Sequence, residues 1–328
     1  MERFFNKTRV VGVGVSLQRT SYAIVDLRGH ILAQESFETR KYPRIDDFVS
    51  ELTSRLLDFM ERNGGYESIR SVGISSPSGN YSTGCIENSP NMPWPGVIPL
   101  AAMMRDRLGM GVALANDCMA VALAEYSFGS AHGMDDFVVV SIGHGLGAAI
   151  FSHGDMVNGY GGFAGEIGHS CVVPGGRHCG CGLDGCLEQY VAEKGILMNA
   201  REILAESNEP SLMRDVPEGE LTPEMITEFC EKGDRLAQEV YIRAGRILGL
   251  SLSNLSSIVN PEAIILTGGI SRAGKWLLEP TAETFEKHLF RNIKGNVKIL
   301  SSIINTRERE ILGASVLAWK VKEYSLFK

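Results

Sequence analysis

From Val10 the sequence runs as a β-branched strand over 10–15, a polar loop, a strand over 22–25, a turn at Arg28-Gly29 and a strand over 31–37. About 127 positions later, from Phe137, the order repeats: a strand over 138–142, the loop Gly143-His144-Gly145-Leu146-Gly147, a strand over 148–151 and the turn His153-Gly154-Asp155. Identity between the two stretches is low, but a repeated supersecondary order marks a duplicated α/β half. In the first half Ile45, Phe48, Val49, Leu52, Leu56, Phe59 and Met60 recur at helical spacing and stop before Gly64-Gly65. A strand at 72–74, a helix at 99–108 ended by Gly109, a strand at 112–115 and a helix at 117–128 follow. In the second half a long helix carries Leu236, Val240, Ile247, Leu248, Leu252, Leu255 and Val259 and stops at Pro261. A strand at 263–266 then runs into Gly268-Gly269, another follows at 297–300, and 308–324 reads as a helix with Leu312, Val316 and Trp319 on one face. The polar stretch 204–224, with Pro210, Pro217, Gly219 and Pro223, reads as a surface loop. The pattern predicts an α/β protein with one lobe over 1–117, completed by the helix 308–328, and a second over 118–307. A Gly-rich hairpin at the head of each half suggests a cleft enzyme that holds phosphate between lobes.

The 37 glycines have no period, so they mark turns and close backbone approaches and not collagen or a linker. Hydrophobic residues, 44% of the chain and evenly spread, exclude disorder. A net charge of −7 argues against a nucleic-acid surface. No apolar run approaches the ~18–20 residues of a membrane span, and the opening Met1-Glu2-Arg3-Phe4-Phe5-Asn6-Lys7 lacks a signal peptide's apolar stretch. The expectation is a cytoplasmic protein with no nucleic-acid or membrane partner.

Seven cysteines are too few, and odd in number, for a disulfide scaffold. Cys85, Cys118 and Cys230 are scattered and Cys171 sits in an apolar strand-like run; all four read as buried, inert thiols. The rest converge: Gly165-Glu166-Ile167-Gly168-His169 precedes Cys179-Gly180-Cys181-Gly182-Leu183-Asp184-Gly185-Cys186-Leu187-Glu188. His169, Cys179, Cys181 and Cys186 form a full tetrahedral set with no open position, the pattern of a structural Zn²⁺. The alternative is three reduced, unbound thiols; a catalytic dithiol fits less well, because the spacing is not C-x-x-C.

Together with Asn116-Asp117, the 143–147 loop and Asn260-Pro261-Glu262 ahead of Gly268-Gly269, this segment resembles the ROK family of bacterial sugar kinases and sugar-responsive repressors, over nearly the whole chain. The resemblance implies a two-lobed actin-like/hexokinase (ribonuclease H-like) ATPase fold with an interlobe cleft, a hexose or N-acylhexosamine in that cleft, ATP with Mg²⁺ beside it, and a homodimer. It implies glucokinase-like phosphorylation with Asp117 as general base, a carboxylate that takes the hydroxyl proton while the metal handles phosphate charge. Asn116 would orient the sugar, and Glu166, His169 and Glu188 match positions that hydrogen-bond sugar hydroxyls. If one ring nitrogen of His169 goes to zinc, the other is free to face the sugar. Asn91 is a further sugar-contact candidate in Asn91-Met92-Pro93-Trp94, whose order departs from the family's; Trp94 reads as core or cleft wall. Taken without the resemblance, Asp117 also reads as an N-cap and Glu166 and Glu188 as solvated carboxylates.

The nucleotide side departs from the family. Where the family has Asp-x-Gly-Gly-Thr after the first strand, this chain has Gly14-Val15-Ser16-Leu17-Gln18: the acid is absent, both glycines are gone, and Leu17 is apolar where phosphate should approach. Arg19 would add positive charge there. The second loop, Gly-Thr-Gly in the family, is Gly143-His144-Gly145, and Ser78 stands where Gly commonly follows Pro77. Gly143, His144, Gly145, Gly268 and Gly269 remain the nucleotide-side candidates, although each Gly pair alone could be an ordinary turn. Two functions fit: a sugar kinase with a weakened nucleotide site, or a non-enzymatic sugar sensor or partner-binding relative with a decayed one. A DNA-binding repressor is disfavoured, because about nine residues ahead of the first strand are too few for a helix-turn-helix module.

Overall fold

The first strand, β1 (Arg9–Val15), is buried along nearly its whole length, as an apolar run without alternation requires at the centre of a covered sheet. The computed structural model describes residues 7–89, 92–305 and 308–321. β2 (Thr20–Asp26) and β3 (Ile31–Phe37) continue β1 as an antiparallel meander. α1 (Ile45–Arg62) buries Phe48, Val49, Leu52, Leu56, Phe59 and Met60, and β4 (Ile69–Ser75) returns parallel to β1. β5 (Gly79–Asn80), β6 (Cys85–Glu87) and β7 (Val97–Ile98) form a small antiparallel sheet. α2 (Leu100–Leu108) ends at Gly109 in the left-handed conformation, and β8 (Gly111–Ala115) then pairs parallel with β4 ahead of α3 (Asp117–Phe128).

The second sheet starts with the antiparallel strands β9 (Phe137–Ile142), β10 (Leu146–Ser152) and β11 (Asp155–Met156). After α4 (Glu188–Val191), α5 (Glu193–Glu206), α6 (Pro223–Glu231) and α7 (Arg235–Val259), β12 (Ala263–Thr267) pairs parallel with β9. α8 (Lys275–His288) leads to β13 (Lys298–Ser301), parallel to β12. The strand orders, β3-β2-β1-β4-β8 and β11-β10-β9-β12-β13, match position for position and in pairing sense, so the repeated sequence order is a repeated topology. Asn260, at φ +47°, closes α7, and Glu262 Oε1 accepts the N–H groups of Asp135 and Asp136 at the entry to β9. The stretch 204–224, read as a loop, contains the end of α5, a short turn at Leu212–Asp215 and the start of α6. In α8, Pro280 breaks the sequence pattern inside the helix; its ring lies 2.7 Å from where a Cβ on Gly245 of α7 would stand. Among the described residues no helix is long and apolar enough to cross a membrane.

α9 (Arg309–Trp319) is shorter than the helix expected over 308–324, of which 322–324 lie outside the described residues. It packs on β1, β4 and α3. The Ile311 and Ala314 carbonyls occupy the space where Gly12 and Gly73 would carry a Cβ, and the Ala120 carbonyl of α3 does the same at Gly313. Ser71 Oγ donates to the Ala318 carbonyl at 2.7 Å. Because α3 packs on α9, the first compact unit spans residues 1–132 with 303–328 and the second 133–302, so the division falls beyond the sequence boundary at Asp117.

Gly73→Ala would drive a methyl group into the Ala314 carbonyl and push α9 off the sheet. A loss of at least about 1–3 kcal/mol is expected, seen as a lower urea midpoint at unchanged m-value. An unchanged midpoint would mean that α9 shifts freely on its seat.

Candidate functional site

The loop between β11 and α4 brings one ligand atom each from His169, Cys179, Cys181 and Cys186 within 4.8 Å of one another. Cys179 Sγ lies 3.7 Å from His169 Nδ1, and Cys181 Sγ lies 3.6 Å from Cys186 Sγ. A tetrahedral ion with metal–sulfur bonds of about 2.3 Å and a metal–nitrogen bond of about 2.0–2.1 Å needs donor–donor edges of about 3.6–3.8 Å. Those two edges match that size, and the whole set converges within 4.8 Å. Burial and the neighbouring thiols push Cys186 up to about 12, whereas the Leu183 N–H holds Cys181 below the usual thiol value. A divalent cation is what allows such crowded thiols to ionise together. Cys171 corrects the reading of four buried thiols. It is exposed and stands outside the four-donor group, although its backbone bridges that of Cys186; Cys85 is half-buried, and Cys118 and Cys230 are buried.

Arg177 ties this loop to the helices that follow. Its guanidinium donates to the Gln189 carbonyl (2.6 Å), Asn199 Oδ1 (2.8 Å) and Glu202, and stacks 4.6 Å over the Tyr190 ring. Gln189 Nε2 donates to Cys179 Sγ at 3.6 Å, an outer contact of the kind that orients a metal ligand. On the other side, Gly165 (φ +94°) and Gly168 abut the carbonyls of Ala148 and Leu146 in β10, where a Cβ would not fit. They pin the turn that carries exposed Glu166 and half-buried His169. Half-buried Glu188 opens α4, and its Oε2 accepts the Leu146 N–H at 3.0 Å, which links the metal-donor loop to the 143–147 loop. Asn91 lies outside the described residues. Trp94 is core, 1% exposed, with Nε1 donating to the Tyr42 carbonyl.

The residue that caps α3 is Asn116, whose Oδ1 accepts the Met119 N–H at 2.6 Å. Asp117 is therefore not the N-cap. Its Oδ1 accepts the Cys118 N–H at 2.9 Å, and its side chain meets solvent at the end of β8. The protein massed around it still withdraws enough water to raise its carboxyl above the usual aspartate range, against the pull of the Cys118 and Asp117 N–H groups and the Arg309 charge.

In the second unit Gly268 abuts the Ile142 carbonyl, which sets Gly268-Gly269 beside the 143–147 loop. Both lie at the carboxyl ends of the adjacent parallel strands β9 and β12, the edge where α/β sheets bind ligands. Open space surrounds Gly143 and Gly269. The exposed His144 ring places Nδ1 2.5 Å from Glu193 Oε2, and the Glu193 N–H donates to the Gly143 carbonyl. In the first unit Ser16 and Arg19 close a tight turn, Ser16 N–H to the Arg19 carbonyl and Arg19 N–H to Ser16 Oγ, with Leu17 41% exposed. The Arg19 guanidinium donates to Ser36 Oγ on β3. Ser78 has φ +55°, the left-handed region that explains a glycine there in the family. Arg177 and Glu193 escape a sequence reading because no local pattern marks them; folding supplies their partners.

The ROK family pattern matches residues 10–321. Over 321 residues the chain is 28% identical to a glucokinase of Halalkalibacterium halodurans, covering 95% of this chain and 94% of that one. It is 26% identical over 313 residues to the DNA-binding transcriptional dual regulator NagC of Escherichia coli, covering 94% of this chain and 74% of that one. A ROK family glucokinase from Streptomyces griseus, solved in complex with glucose and AMPPNP, superposes with a TM-score of 0.78 at 27% identity, covering 95% of this chain and 99% of that one. The fold is the two-lobed actin-like/hexokinase fold.

Glu188→Ala removes the acceptor of the Leu146 N–H. Stability is expected to fall by about 1–2 kcal/mol, with faster amide exchange confined to the 143–147 loop. Unchanged exchange there would mean that the loop holds its own shape.

Proposed function

From the premise that the chain belongs to the ROK family, we propose that it is an ATP-dependent, glucokinase-like kinase of a hexose or N-acylhexosamine. The observation that carries this reading is Asp117, a carboxylate at a strand's carboxyl end that is relieved of capping duty by Asn116 and raised by its surroundings. Similarity to glucokinases along almost the whole chain supports it. In this reading Asp117 takes the proton of the attacking sugar hydroxyl as that oxygen bonds to the terminal phosphorus of ATP. A raised carboxyl is the better proton acceptor once ionised. Asn116 orients the sugar with the NH₂ of its amide, while Glu166, Glu188 and His169 hold hydroxyls. With Nδ1 beside Cys179 Sγ, Nε2 is the nitrogen left for the sugar, and Glu188 offers the oxygen not committed to Leu146. Asn91 joins this set on its motif alone. Gly143, His144, Gly145, Gly268 and Gly269 present backbone to the nucleotide, and Mg²⁺, when bound with ATP, neutralises phosphate charge. His169, Cys179, Cys181 and Cys186 hold a structural Zn²⁺, and a homodimer belongs to the same reading.

One observation favours the other reading, a non-catalytic sugar sensor. The Ser16–Arg19 turn spends its Ser16 and Arg19 amides internally and shows Leu17 to solvent, which leaves fewer donors for phosphate. A coupled assay with glucose, N-acetylglucosamine and N-acetylmannosamine separates the two; sugar binding without turnover on any of them transfers the chain to the sensor class. If the kinase reading holds, Asp117→Asn lowers kcat by about 10²–10⁴ while sugar affinity changes little. In the wild type, kcat/KM falls as the pH drops through the Asp117 pKa, at a pH above the ordinary aspartate range, because protonation removes the base. Turnover retained in Asp117→Asn would discard the base assignment.

The metal assignment is checked by elemental analysis of protein purified without chelator, with about one zinc per chain expected. Cys186→Ser should release that metal and lower the melting temperature, since structural zinc contributes directly to folding free energy. Metal-free protein with unaltered stability would remove the assignment.

A further inference from the structure

Gly14, near the end of β1, stands where the family has its acid, yet a carboxylate reaches the same place from the other end of the chain. A Cβ on Gly14 would lie 3.6 Å from Glu310 Oε2 and 3.6 Å from Glu310 Cβ. Glu310 is the second residue of α9, and the next residue, Ile311, has its carbonyl against Gly12, two positions before Gly14 on the same strand. Packing therefore places this carboxylate. Among the described residues it accepts no hydrogen bond. Burial raises its pKa above the usual glutamate range and the Asp117 charge raises it further, with Arg309 opposing. A half-buried carboxylate that meets no donor among the described residues, within reach of a second carboxylate's charge, is relieved by a cation.

We propose that Glu310 supplies, from α9, the metal-side carboxylate that β1 lacks at Gly14, and that it faces the Mg²⁺ carried in with ATP. The inference rests on the kinase reading above. Mg²⁺ takes one or two carboxylates, phosphate oxygens and several waters. Glu310 provides a carboxylate for that set and leaves Asp117 to the hydroxyl proton. A Cβ at position 14 would stand in ordinary contact with Glu310, so an acid on β1 and the acid on α9 would address the same place.

The test is calorimetric titration of AMPPNP into the full chain, with Mg²⁺ and with EDTA, beside a sugar titration. In the wild type Mg²⁺ strengthens AMPPNP binding. Glu310→Gln, which keeps the shape, is expected to lose about 10- to 100-fold of the Mg²⁺-dependent affinity, with metal-free AMPPNP and sugar binding unchanged. The double variant Gly14→Asp/Glu310→Gly returns the carboxylate to β1 and is expected to recover the Mg²⁺ dependence. Should Glu310→Gln fail to fold, the double variant decides: wild-type-like Mg²⁺ dependence supports the inference and its loss overturns it. Equal Mg²⁺ dependence in the wild type and Glu310→Gln, or none in the wild type, overturns the inference and leaves the kinase reading standing wherever sugar-dependent turnover persists. No AMPPNP binding to the wild type overturns both.

Discussion

The first unit depends on how closely α9 lies on its sheet. The carbonyls of Ile311 and Ala314 fill the space that side chains on Gly12 and Gly73 would take, and α3 approaches Gly313 equally closely. Such contacts join residues about 190 to 300 positions apart and hold the last described helix on β1, β4 and α3. The buried run Gly313-Ala314-Ser315 keeps that helix face thin, which permits the approach. The same seating carries Arg309 and Glu310 into reach of Asp117, so the electrostatics around the candidate base follow from the packing of glycines.

In the second unit the segment between β11 and α4 has almost no ladder or helix to satisfy its backbone, and loops of that kind need other anchors. Three are present: the convergent donors of His169, Cys179, Cys181 and Cys186, the fan of bonds from Arg177 to α4 and α5, and the glycine contacts with β10. Glu188 extends this framework to the 143–147 loop. Residues proposed for sugar and residues proposed for nucleotide thus share one mechanical support within the unit, and a change in either loop would be felt by the other.

Periodicity made most elements legible. α3 falls on the residues read from sequence, because a strand, an Asn cap and an apolar helix follow one another without ambiguity. α8 and the start of α6 were hidden by prolines. Pro280 is tolerated inside α8 where its ring packs against Gly245, and Pro223 occupies the first turn of α6, where no amide hydrogen bond is lost. The convergence of His169, Cys179, Cys181 and Cys186 was legible from spacing alone, since short loops bring such side chains together. The exposure of Cys171 was not, because an isolated bridge obeys no strand alternation.

By itself the sequence determined the duplicated strand order, the convergence of three thiols and one imidazole, and the absence of an acid at Gly14. Each of these is written in local spacing or residue type, which folding cannot alter. Only the tertiary structure decided that Asn116 caps α3 in place of Asp117, that Glu193 pairs with His144, and that Glu310 stands over Gly14. Those outcomes depend on which side chain wins a shared donor and on which distant segments come within a few ångströms. Such competition between remote partners leaves no periodic trace in a linear chain.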